Sequence, residues 1–99
     1  MELRIRVAKN VRLRRLMAGL TQQQFAAKLS EITGRGWAQP QVSDVEHGRT
    51  AITLTTLEKI AQALDVPVSD LVQVPRARDV AKLGPRADLV TFVASPEAD

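Results

Sequence analysis

The chain has no cysteine and no tyrosine, and only one histidine, one tryptophan and two phenylalanines among its 99 residues. Without cysteine there is no disulfide scaffold, no Cys-ligated zinc finger and no iron–sulfur cluster. One histidine makes a transition-metal site unexpected, and no motif calls for a cofactor. With Phe25, Trp37 and Phe92 as the whole aromatic set, the core must come from Val, Leu, Ile and Ala, which suits closely packed helices. No apolar run approaches membrane-spanning length. The start, Met1-Glu2-Leu3-Arg4-Ile5-Arg6, is charged and unlike a secretory signal. The expected protein is soluble and cytoplasmic. There is no internal repeat and no low-complexity tract.

What is present is one small domain with a tail: a domain over residues 1–74 and an extension over 75–99. The net charge of +3 is unevenly spread. Residues 1–49 carry nine Lys or Arg against four Asp or Glu, and residues 50–99 carry five against seven. A positive field concentrated in one half attracts polyanions. A merely solvated helix face would give the same count.

Local punctuation predicts five helices. Residues 7–18 read as the first, with Val7, Val11, Arg15 and Ala18 on one face. The alternation Leu3, Ile5, Val7 leaves residues 1–6 open between an added helical turn and a short strand. Gly19 suits a left-handed stop. Thr21 and Gln24 have capping-box spacing, with Leu20 and Phe25 at staple positions. Phe25, Leu29 and Ile32 carry the second helix on to about Thr33, where Gly34 stops it. After the loop Arg35-Gly36-Trp37-Ala38, Pro40 fits only a first turn, so the third helix starts near Gln39 and ends at His47, before Gly48. Thr53 caps a fourth helix with the stripe Leu54, Leu57, Ile60, Ala61, Leu64. Pro67 opens a short fifth with Val68, Leu71 and Val72. Beyond Val74, the β-branched run Leu89–Ala94 reads as a short strand within 88–94, needing a partner: residues 2–6, or its copy in a second subunit.

From about Val7 to Val72 the chain resembles the Cro/phage-repressor (XRE) family of helix-turn-helix domains. The residues that carry the likeness are Arg15, Gly19-Leu20-Thr21-Gln22, Phe25-Ala26, Leu29, Val42-Ser43, Val45-Glu46, Gly48, Thr53-Leu54, Leu57, Ile60-Ala61, Ala63-Leu64 and Leu71. The resemblance implies an all-α, five-helix domain that binds double-stranded DNA as a homodimer on a two-fold operator, its third helix in the major groove. It implies a phosphate-clamping role for Gln22, positions facing the groove or its wall for Gln39, Gln41, Ser43 and Asp44, and a backbone-contacting turn at Arg49 and Thr50. It also implies an ion pair between Arg15 and Glu46 that ties the recognition helix to the first helix. A transcriptional repressor is the commonest role of so small a domain.

The residue chemistry supports these roles separately. A helix N-terminus offers free amides and partial positive charge to phosphate, which favours Gln22 and Gln23 as backbone contacts. A glutamine amide can bond adenine at two atoms, and Asp44 can accept from cytosine N4. Plain surface polarity competes for Gln39 and Gln41, and a structural bond to an arginine or to nearby amides competes for Asp44. Arg15 lies within an apolar stripe, where a charge needs a partner. One departure from the family stands out: the segment between Leu29 and Val42 is about six residues longer than usual. It adds Arg35 as a candidate phosphate contact, or is padding in which Trp37 covers a small core.

Ser43, Asp44 and His47 have the letters of a hydrolytic triad, but a triad needs its acid behind the histidine and an oxyanion pocket before the serine. Three groups on one short helix do not supply that, so no enzyme is expected, and His47 suits a helix C-terminus. The alternatives are an antitoxin that grips a protein partner through residues 75–99 and regulates its own promoter, or a relative that has lost DNA binding and bridges proteins.

Overall fold

The computed structural model describes residues 2–74 and 81. Among them are five helices and no strand: α1 (Leu3–Met17), α2 (Gln22–Thr33), α3 (Gln39–Glu46), α4 (Leu54–Leu64) and α5 (Ser69–Val72). The all-α class read from the sequence holds. The expected strand over 88–94 lies outside the described residues. Of its two suggested partners, residues 2–6 do not form a strand, because residues 3–6 make the first turn of α1.

Capping chemistry sets the helix ends. Thr21 Oγ1 accepts from the Gln24 amide at 3.0 Å, and Gln24 Oε1 accepts from the Thr21 amide at 2.9 Å, a closed capping box. Thr53 accepts from the Thr56 amide at 3.1 Å. α4 ends on Asp65 at φ +57°, a left-handed position that aspartate tolerates better than most residues. Gly48, after α3, has φ +68°, and a Cβ there would lie 2.8 Å from Ile5 Cδ1. Glycine is therefore needed at Gly48 twice, for its backbone angle and for the close approach of α1.

The core is aliphatic around a single ring. Val7, Val11, Phe25, Ala26, Leu29, Val42, Val45, Leu57, Ile60, Ala61, Ala63, Leu64 and Leu71 form one buried cluster. Leu20, Ile32, Trp37 and Ile52 pack at its margin. Two expected core positions face outward instead. Ala18 is exposed, and Leu54, in the first turn of α4, is 80% exposed because that turn overhangs the core. Ala63, at 0% exposure, belongs inside.

α1 is the strut against which α3, α4 and α5 rest. Buried Asn10 donates from Nδ2 to the carbonyls of Leu71 at 2.9 Å and Gln73 at 2.6 Å, and Arg6 donates to the Val72 carbonyl at 3.0 Å. These bonds satisfy carbonyls at the end of α5 that the helix leaves without partners. Arg14 and Asp70 add an ion pair at 3.6 Å.

Candidate nucleic-acid interface

α2 and α3 pack against each other, and both lean on the rest of the core. Arg15 and Glu46 are 7% and 2% exposed. Arg15 Nε donates to Glu46 Oε2 at 2.5 Å, Nη2 donates to Oε1 at 3.0 Å, and Nη1 donates to the Leu20 carbonyl at 2.7 Å. The two-point geometry suits a planar guanidinium facing a carboxylate. One arginine on α1 thus fixes both the end of α3 and the turn that leads into α2.

The network continues outward. Gln22 Nε2 donates to Glu46 Oε1 at 3.0 Å, and Gln39 Nε2 donates to Gln22 Oε1 at 2.6 Å. The ionised carboxylate accepts only, so Gln22 must turn its NH2 toward Glu46 and its carbonyl toward Gln39. Gln39 must then use one amide hydrogen inward. What remains free follows by counting. Gln22 keeps one N–H and a second lone pair on its Oε1, and Gln39 keeps one N–H together with its carbonyl oxygen. Gln22 and Gln39 are both half-buried.

The other expected site residues are arranged differently. Gln23 is exposed at the start of α2. Gln41 is exposed, and its Oε1 accepts from the Ala38 amide at 2.8 Å. This is half of a capping box, because alanine has no side chain to complete it. While it caps, Gln41 keeps both N–H groups and one lone pair on Oε1. Asp44 accepts from Arg49 Nη1 at 3.2 Å in an exposed pair. Thr50 Oγ1 donates to the Ala51 carbonyl at 3.4 Å. Arg35 is exposed in the loop between α2 and α3. That loop is tied to α2: Ser30 Oγ accepts from the Trp37 amide at 2.8 Å and donates to the Ala26 carbonyl at 3.0 Å.

Ser43, Asp44 and His47 do not assemble for proton transfer. His47 Nδ1 lies 2.7 Å from the Ser43 carbonyl, within its own helix, and 3.4 Å from Ser43 Oγ. The Asp44 carboxylate is engaged by Arg49.

Two features escaped sequence reasoning. The capping role of Gln41 was readable from its position three residues after Ala38, had the absent side chain at Ala38 not hidden half of the motif. The Gln22–Gln39 pair had no signal, since residues 17 apart in sequence meet only because the loop brings them together.

The family model described as Helix-turn-helix matches residues 11–71. The chain belongs to that family, in its XRE branch, whose members are DNA-binding regulatory domains. The matched span takes in α2, α3, α4 and nearly all of α5. No curated protein and no solved structure matched the chain. Among the described residues no helix is long and apolar enough to cross a membrane.

Proposed function

We propose that this chain is a transcriptional repressor that binds a two-fold operator as a homodimer, with α3 in the major groove. The observation that carries the reading is the relay Arg15–Glu46–Gln22–Gln39, which orients both amides and leaves each glutamine a free N–H for its role. The spare N–H of Gln22 suits a phosphate oxygen, beside the free amides that open α2. The spare N–H and carbonyl of Gln39 match N7 and the N6 amino group of adenine. Gln41, with both N–H groups free, serves bases that present acceptors. Asp44 meets Arg49 through Oδ1 alone, which leaves Oδ2 to accept from cytosine N4. Ser43 adds a hydroxyl on the groove side. Gln23, Arg35, Arg49 and Thr50 serve the DNA backbone. An α-helix of eight residues is about 12 Å long. It reads only a few base pairs, so a second copy is needed for operator-length specificity, and occupying that operator blocks transcription.

Selecting bound duplexes from a random pool tests this reading. Two inverted arms with centres about one helical turn apart are expected. On the selected duplex, Gln39→Ala relaxes the choice at one base position by about 1–3 kcal/mol, whereas Gln22→Ala weakens all sequences alike. Failure to enrich any sequence, or equal losses from both variants on selected and random DNA, would overturn it.

A further inference from the structure

A second cationic feature lies beside the recognition helix. The loop between α2 and α3 and the first turns of α4 enclose a cleft of about 420 Å³, walled by Arg35 and Trp37 on one side and by Thr53, Thr55, Thr56 and Lys59 on the other. Among the described residues, neither the Arg35 guanidinium nor the Lys59 ammonium has a hydrogen bond or ion pair, and no carboxylate lines the cleft. Trp37 also borders the groove formed with Gln41, Asp44, Val45 and Thr50, so the cleft adjoins the end of α3. The backbone of that wall is held in place, because the Trp37 amide donates to Ser30 Oγ at 2.8 Å.

We propose that this cleft binds a phosphate oxyanion, with Arg35 and Lys59 supplying the charge and the threonine hydroxyls the neutral donors. Arg35 and Lys59 come from different elements onto the walls of one cleft, where a single anion can meet both charges. A guanidinium fork and an ammonium are the two side-chain groups best suited to phosphate oxygens. Hydroxyls can donate without adding charge. The phosphate comes either from the DNA strand that flanks the α3 footprint or from a small soluble phosphate-bearing ligand. Only the first source rests on the DNA-binding reading.

Trp37 is the only tryptophan in the chain, so its emission reports directly on the cleft. The protein is titrated with sodium pyrophosphate at ionic strength held constant with NaCl. In parallel, the affinity for the selected duplex is measured against salt. Arg35→Ala and Lys59→Ala are compared in both arms with Arg4→Ala, which removes the same charge from an exposed site at the start of α1, and thermal melts by circular dichroism verify folding. A saturable change in emission that weakens tenfold or more in both cleft variants, and not in Arg4→Ala, supports a soluble ligand. A salt slope that falls by about 0.9 in each cleft variant, and not in Arg4→Ala, assigns the phosphate to DNA. No saturable response that depends on these residues, together with unchanged slopes, overturns the proposal while leaving the role of α3 untouched.

Discussion

Removing either member of the Arg15–Glu46 pair should cost much more than its share of the loss when both are removed. The Glu46 side chain is 0% exposed and that of Arg15 is 8% exposed, so neither can turn to water when its partner is gone. Glu46→Ala leaves the guanidinium with the Leu20 carbonyl as its one acceptor among the described residues. Arg15→Met leaves a carboxylate with only the Gln22 amide. Each single change should cost about 3–5 kcal/mol. The double variant Arg15→Met/Glu46→Leu removes both charges. It leaves the Leu20 carbonyl without its donor, at about 1–3 kcal/mol, and Gln22 is exposed enough to find water. Added together, the singles come to roughly 6–10 kcal/mol. A double variant near 1–3 therefore gives a coupling of at least about 3 kcal/mol. Urea unfolding followed by Trp37 emission and by circular dichroism would measure it, with midpoints lowered by roughly 2 M or more in the singles. The stability of such a domain is only about 5–15 kcal/mol, so the singles are best studied cold and with a stabilising osmolyte. Additive losses, with the double variant as unstable as the sum, would refute the claim that the two charges act as one desolvated unit.

Two further stability contrasts follow from the packing. Gly48→Ala should cost more than Gly34→Ala. Both sit at left-handed angles worth about 1–2 kcal/mol, but only at Gly48 would the new methyl meet Ile5; equal losses by thermal melt would contradict the close seat of α1. Leu57→Ala should cost about 2–5 kcal/mol, whereas Leu54→Ala, one turn earlier on α4, should stay within about 0.5 kcal/mol. A large loss at Leu54 in dilute protein would refute its place outside the core.

What could be read from the sequence was whatever is decided within a few residues. The Thr21–Gln24 box, the stops at Gly19, Gly34 and Gly48, and the left-handed Asp65 depend on local backbone and side-chain chemistry, and all are present. The first turn of α1 was ambiguous because Leu3, Ile5 and Val7 fit either period; helix allows Arg6 to reach the Val72 carbonyl 66 residues away, a bond no local pattern announces. The stripe on α4 had the right period and one wrong member. Periodicity tells which face is apolar but not where along the helix the core ends, and Leu54 lies past that end. The site divides the same way. Candidate residues were recognisable by type and position. Which hydrogen each glutamine has left depends on Glu46, Gln22 and Gln39 meeting in space.

The long α2–α3 connection raised the question of whether α3 keeps its seat beside α2. The extra residues are taken up sideways. Part of them lengthens α2 to Thr33, and the remainder folds back through Ser30 onto Trp37. The N-terminus of α3 still returns to the start of α2, since Gln39 and Gln22 are in hydrogen-bonding contact. The end of α3 is still clamped to α1 through Glu46. With both ends of the helix pinned, the added loop has little leverage on its tilt and projects instead toward α4, where it supplies the Arg35 and Trp37 wall of the cleft. An insertion that alters one flank while leaving the clamped helix in place is a physical route by which a helix-turn-helix domain gains a new contact without disturbing its reading head. Deleting Arg35 and Gly36, with Trp37 kept as the reporter, should therefore abolish the cleft's emission response, while the side-chain amide resonances of Gln22 and Gln39 stay unshifted by NMR.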